Sequence, residues 1–501
     1  MIRKVRKMKM IATLSLCAMA IVFSALAIVF SALSGDDAIA AINPCDLSFA
    51  RLASRRFVTD NELNLCEYKP ETAVAESLQY PRLGDSALRV VGGFWPVANY
   101  RAHVTSLPAE IAFATAAGEV KMRVAVDSQT ENLPEVPFDL SVIMTCNHRP
   151  TVLVTKDAHT TLLRVADIPE GFSPSLKANL HTIKFCVSTN VTAASASLSA
   201  GVGQADVHFV TTGRKNQLYM EGSRVFFTFS ARSYGSAQGV ASFDPTLFDV
   251  RLEGIILFDH GDGRLRNDLA GHLFYDEQEG DWKGYISNFG TGNDKMEKRA
   301  EGGLLAVWSR KNPLHGLSIM RAKSLGLKGM NEDPCVTYDE QARRWRLLVS
   351  EFIPNSIRAS MLESPTWDGP FEKIAGPVAL DSTGTTIAWI DGVRYCFSGS
   401  SDRACYVYTY PDLKEHGRLS FDFPPWEGPY VKANTSAWWS ERDVCNGRVW
   451  PAVAELPEGY PFRFIMLTMD RANFPGMPRP NWTYGALYLY GANEPICQEK
   501  Q

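Results

Sequence analysis

The 501-residue sequence has no surplus of basic charge. Its 51 Lys and Arg stand against 55 Asp and Glu, a net charge of -4, so no nucleic-acid partner is expected. It has no glycine-rich phosphate loop: GDGR at Gly261 and GTGND at Gly290 read as turns, without the strand-to-helix context such a loop requires. Neither G-x-S-x-G nor H-E-x-x-H occurs, which removes the serine-hydrolase elbow and the zinc-protease helix. None of the ten cysteines has zinc-ligand spacing. No metal or cofactor is expected. Beyond residue 41 no stretch carries a convincing helical period, which leaves an all-β chain. Charged residues are 21% and apolar residues 45%, the balance of a globular protein.

One long apolar run does exist. MIRKVRKMKM carries five basic residues, and Ile11 to Leu33 is uncharged and mostly apolar. Residues 1–41 therefore read as a secretory signal, with an uncleaved membrane anchor as the alternative. Either way a secreted, periplasmic or cell-surface location is expected, with membrane contact only if the segment stays attached. Export permits disulfides. Cys396 and Cys405, flanking a GSSD turn, are the expected local bridge, with Cys45–Cys66 and Cys146–Cys186 as further pairings that sequence cannot fix.

The chain repeats itself. YDEQEGDWKGYIS from Tyr275 returns as YDEQARRWRLLVS from Tyr338, and self-similarity at a fixed offset marks repeat architectures. Each copy reads as a hairpin: an apolar stretch, a polar connector, then a second apolar stretch. The offset leaves room for about four short strands per copy, the arithmetic of a propeller blade. Fainter echoes start at Leu218, Ile387 and Phe462. Residues 213–497 accordingly read as a five-bladed β-propeller, with two coincidentally similar hairpins in a β-sandwich as the plainer alternative. Residues 42–212 lack the repeat and carry about seven short alternating strands, the pattern of a β-sandwich accessory domain.

In a propeller the start of each inner strand and the end of the second strand share one face. Those positions gather acids: Asp268 before HLFY, Glu332 and Asp333 before CVTY, and Glu351 after LVS. Each carboxylate alone could equally be a turn cap. The stretch NEDPCVTYDEQARRWRLLVSE from Asn331 resembles a blade of the five-bladed glycoside hydrolases, both the arabinanase and β-xylosidase group (family 43) and the invertase and levansucrase group. Those enzymes start an inner strand with Asp-Pro or Glu-x-Pro; Asp333-Pro334 fits the first form and Glu332-Asp333-Pro334 the second. The resemblance covers the C-terminal half in architecture and one blade in motif.

The resemblance implies paired carboxylates acting on a furanoside-type or related saccharide. One protonates the leaving oxygen; the other activates water or attacks the anomeric carbon. It nominates Glu332 as acid, Asp268 as base or nucleophile, Asp333 as the partner that raises the acid's pKa, and Glu351 as reserve acid. Adjacent residues 332 and 333 should point to opposite faces of a strand. Arg232, His272, Asp381, Trp438 and Trp439 are the candidate substrate contacts. The sequence departs from the family at Arg214 to Gln217, where the first blade lacks an aspartate. A non-catalytic carbohydrate-binding propeller, or a transglycosylase, phosphorylase or lyase, stays open.

Overall fold

Aromatic and β-branched alternation produces strands throughout. The computed structural model describes residues 41–69, 88–115, 120–146, 148–290, 303–424, 449–478 and 482–493, and among these the chain is all-β apart from single turns of helix such as Lys177–Leu180. The apolar run before residue 41 and the tryptophans at 438 and 439 lie outside the described residues.

Two sheets in the N-terminal part face each other. One has the order Leu88–Gly93, Ile183–Ser188, Ala109–Thr115, Val120–Val126. The other runs Glu62–Tyr68, Val191–Ser199, Val97–Val104, Phe138–Thr145, Thr151–Lys156, His159–Val165. Alternate residues of both inner faces form one core. At its centre the Tyr100 ring lies 4.7 Å from Phe113 and 4.9 Å from Phe185. The Tyr100 hydroxyl donates to the Trp95 carbonyl at 2.8 Å, so the buried ring keeps its polar end bonded.

The C-terminal part is built from antiparallel strands laid down four at a time. The first group is Gly203–Phe209, Arg224–Arg232, Ser236–Phe243, Arg251–Asp259; the second is Leu269–Asp276, Asp281–Ser287, Leu304–Ser309, Gly316–Ser324. Their outermost strands pair in parallel, Gly254 opposite Gly316. Thr211–Thr212 then pairs with Phe274 and Tyr275, so this eleven-stranded sheet nearly closes on itself. The third group is Asn331–Asp339, Arg344–Ile353, Ser356–Ser364, Glu372–Ala375. The fourth is Thr383–Ile390, Val393–Gly399, Cys405–Thr409, Glu415–Arg418. The last sheet combines Ala452–Glu455, Phe464–Met469 and Leu487–Ala492 with Ser48–Arg55 from the far end of the chain, which in turn pairs with Ser420–Phe421. The leading strands of these groups touch in succession, the last contacting Gly203–Phe209.

The duplicated hairpin has a packing cause. Tyr275 sits opposite Trp282, and Tyr338 opposite Trp345, each pair with ring centroids 5.2 Å apart. Each indole also packs against the preceding group: Trp282 lies 4.9 Å from Tyr219, and Trp345 5.2 Å from Phe274. The repeated tyrosine–tryptophan pair therefore fills the seam between successive sheets. Cross-strand aromatic pairs of this kind contribute roughly 0.2–1 kcal/mol relative to a pair of alanines.

The expected disulfides are not formed. All seven described cysteines, at 45, 66, 146, 186, 335, 396 and 405, are thiols. Cys396 lies opposite Tyr408 and Cys405 opposite Gly399. That puts the two cysteines three residues out of register, about 10 Å along the strands at roughly 3.3 Å per residue, beyond the reach of about 7 Å between Cα atoms that a bridge allows.

Candidate functional site: a ring of bulged inner strands

Four inner strands carry the same irregularity. Each inserts one extra residue against its partner strand: between Ala205 and His208, Leu269 and His272, Glu332 and Cys335, and Thr383 and Thr386. In each case the first of the two intervening residues is left-handed: Asp206 (φ 54°), Ala270 (57°), Asp333 (52°) and Gly384 (63°). Only glycine adopts that conformation freely, with aspartate and asparagine the next best tolerated. Bulges of this type re-aim a side chain, and strained residues cluster at working sites. Two of the four positions hold aspartates.

Asp206 and Asp333 are both buried. One oxygen of Asp206 accepts from the Ser230 hydroxyl at 2.6 Å and forms a salt bridge with the Arg232 guanidinium. Arg232 is itself buried, lies 4.3 Å over the Tyr484 ring and donates to the Trp482 carbonyl. Arg471 stacks on the same Tyr484 ring at 4.5 Å. Asp333 Oδ2 accepts from Thr383 Oγ1 (3.0 Å) and from the Gly384 N–H (3.2 Å), while its own N–H donates to Ser287 Oγ. Burial, and then the negative charge of Asp206, push the Asp333 carboxyl well above the ordinary range; Arg471 and its two donors pull the other way and lose. The site thus sets a salt-bridged aspartate against one whose pKa is raised, and environments that push two acids apart divide acid and base roles.

The other nominated carboxylates are placed elsewhere in the groups. Asp268 is fully buried two residues before the Ala270 bulge, with an oxygen 2.9 Å from His260 Nε2. Glu332 is half-buried, opposite Ser350 in the ladder. Glu351 turns along its own sheet, bound by Lys373 Nζ at 2.6 Å and by Ser360 Oγ at 2.6 Å. Asp381 accepts the Ser401 N–H at 3.0 Å. Arg232 is brought directly to Asp206.

His272 sits two residues past its bulge. The Val336 N–H donates to its Nδ1 (3.0 Å), so the ring proton is on Nε2, 3.0 Å from Thr211 Oγ1. Burial drives its pKa down to about 3. His208 occupies the matching place on Gly203–Phe209, with its ring 6.2 Å from that of His272. Burial takes it down to about 4, against the opposing pull of Asp206.

Asp206 is the candidate site residue that the sequence reading missed. Gly203–Phe209 reads as one more strand of the N-terminal sandwich, yet it leads the first group. The signal is the recurrence of His two residues after the bulge position, in ADVH at 205–208 and LAGH at 269–272.

No protein-family model and no curated relative matches the chain. Solved structures do resemble it. The catalytic domain of a GH62 α-L-arabinofuranosidase from Coprinopsis cinerea is 10% identical, with 58% of this chain covering 90% of that one at a TM-score of 0.35. Zg3597, a family 117 glycoside hydrolase from Zobellia galactanivorans, is 8% identical over 59% and 85%, at 0.36. An N-acetylgalactosamine deacetylase from F. plautii is 9% identical over 58% and 90%, at 0.37. Propeller glycoside hydrolases are thus among the neighbours. None of these likenesses bears on individual residues of the site.

Proposed function

We propose that the chain is an exported glycoside hydrolase acting on a furanoside-containing or related saccharide. In this reading the five strand groups are the blades of a propeller and the N-terminal sheets an accessory domain. The expected division at 42–212 and 213–497 then needs two strands exchanged: Ser48–Arg55 completes the last blade and Gly203–Phe209 leads the first. The observation that carries the reading is the pair of buried aspartates at equivalent left-handed bulges, one held by a guanidinium and the other with its pKa raised by burial and then by its neighbour.

The chemistry follows from that asymmetry. Asp333, protonated, would hand its proton to the departing glycosidic oxygen. Asp206 would activate water or attack the anomeric carbon, with Arg232 and Ser230 fixing its orientation. Glu332, next to Asp333, is the competing acid; Asp268, bound to His260, and Glu351, bound within its own group, take supporting places.

Asparagine tolerates the left-handed backbone, so Asp206→Asn and Asp333→Asn test the roles with little change of shape. Activity is first sought on arabinan, xylan and β-1,3-galactan. Both variants should lose on the order of 10²–10⁴-fold on the polysaccharide. An activated aryl glycoside, whose leaving group hardly needs a proton, should restore Asp333→Asn but not Asp206→Asn. If Glu332→Gln shows the leaving-group-selective loss instead, the acid is Glu332. Absence of hydrolysis across the panel would turn the reading toward a carbohydrate-binding protein.

A further inference from the structure

A cavity of about 1000 Å³ opens among the ends of the inner strands. Its walls come from the residues that follow the bulges and from the turns beyond: His208, Phe209, Thr211, Arg214 to Leu218, Asp339 to Gln341, Thr386 to Trp389 and Val453 to Pro457. Asp206 and Asp333, at the strand starts, take no part in it. The cavity therefore lies at the far end of the inner strands from the aspartates, with His208 and His272 at its inner limit.

Its lining is rich in buried polar atoms that make no hydrogen bond. Among the described residues, His208 Nε2, Asn216 Oδ1, Thr386 Oγ1 and Arg394 Nε are of this kind. An unmade bond at a buried polar atom costs roughly 1–3 kcal/mol, so four around one cavity call for an occupant. The formal charges are meanwhile already balanced. Arg214 faces the buried Asp276 at 3.6 Å, Arg394 acts on Asp339, and Arg463 holds Glu455 at 2.8 Å. Lys215 and Glu340 remain at the rim and offset each other. Donors and acceptors without surplus charge match a polyhydroxylated ligand, because each hydroxyl both gives and takes a hydrogen bond. Trp389, half-buried on this wall with its Nε1 fixed to the Lys215 carbonyl at 2.9 Å, adds a rigid aromatic surface. A volume of this size suits a short oligomer, at the upper end of ligand sites, roughly 300–1000 Å³.

We infer that this cavity is a second saccharide site, binding a neutral oligosaccharide without cutting it, at the opposite end of the inner strands from the aspartate pair. The inference does not depend on hydrolysis at that pair.

The test uses the full chain carrying Asp206→Asn and Asp333→Asn, so that no probe is consumed, titrated calorimetrically with arabinotetraose, xylotetraose and, as an anionic control, trigalacturonate. One of the neutral probes should bind. Thr386→Val keeps the shape and removes an unbonded hydroxyl, so it should weaken that binding roughly tenfold while leaving the melting temperature unchanged or raised. Trp389→Ala should weaken it at least as much. No binding by either neutral probe would mean that the cavity holds only water. Affinity unchanged in both variants would place the binding elsewhere, and preference for trigalacturonate would make it an anion site. Each of these results overturns the inference.

Discussion

His208 and His272, buried on the inner strands, make stability depend on pH in a way that one substitution can isolate. In the unfolded chain an imidazole takes its proton near pH 6.5, whereas folded His272 resists it down to about 3 and His208 to about 4. Their folded pKa values are depressed, so the stabilisation is complete above the unfolded pKa and drains away as pH falls. Between these limits the unfolded state binds more protons, and each histidine costs about 1.36 kcal/mol per pH unit. From pH 7 to pH 5 that integrates to about 2 kcal/mol per histidine. In His272→Asn the amide oxygen can stand in for Nδ1 and keep the Val336 bond, while the bond to Thr211 is lost. At pH 7 the variant should be less stable by roughly 1–3 kcal/mol. At pH 5 the gap should shrink by about 2 kcal/mol, because only the parent pays the proton penalty there. Glu110, raised to about 7 by burial, gains stability over the same interval, but it is common to both proteins and drops out of the difference. Urea midpoints followed by tryptophan fluorescence at the two pH values measure the gap. A gap independent of pH would refute the argument, since it would mean that His272 accepts a proton in the folded protein as readily as in the unfolded one.

Two further outcomes are expected. Trp345→Ala empties a seam between sheets and should cost roughly 3–5 kcal/mol, read as a lowered melting temperature; an unmoved midpoint would place the indole outside the packing. Arg232→Met strips the buried Asp206 of its guanidinium, and breaking a buried pair costs about 3–5 kcal/mol. Arg232→Lys should recover part of that loss in a denaturant titration, and equal stability of both variants with the parent would show the pair to be neutral.

The hairpins were legible because their determinants are local. The tyrosine, the polar turn and the tryptophan that closes the cross-strand pair sit within eight residues, from Tyr275 to Trp282 and from Tyr338 to Trp345. The site was legible only in part. Asp333 stood out through the proline after it. Asp206 did not, because a one-residue bulge breaks the two-residue alternation by which strand faces are read, and its partner strand begins only at Arg224, across the expected domain boundary. The disulfide expectation failed for a related reason. Spacing across the GSSD turn says that Cys396 and Cys405 lie on neighbouring strands, but register decides whether they meet, and register comes from the whole ladder.

The strand Ser48–Arg55 has a consequence for how the protein is made. It hydrogen-bonds along Leu487–Ala492, so more than four hundred residues separate two neighbours in one sheet. Contacts that remote are the slowest to form, since the loop must be closed before any bond rewards it. During synthesis the early strand emerges long before its partner exists, and it must wait unpaired while the intervening sheets assemble. An idle strand edge is a template for association with other chains. Shielding that strand until the last residues arrive is thus a demand that the topology places on any cell producing the protein.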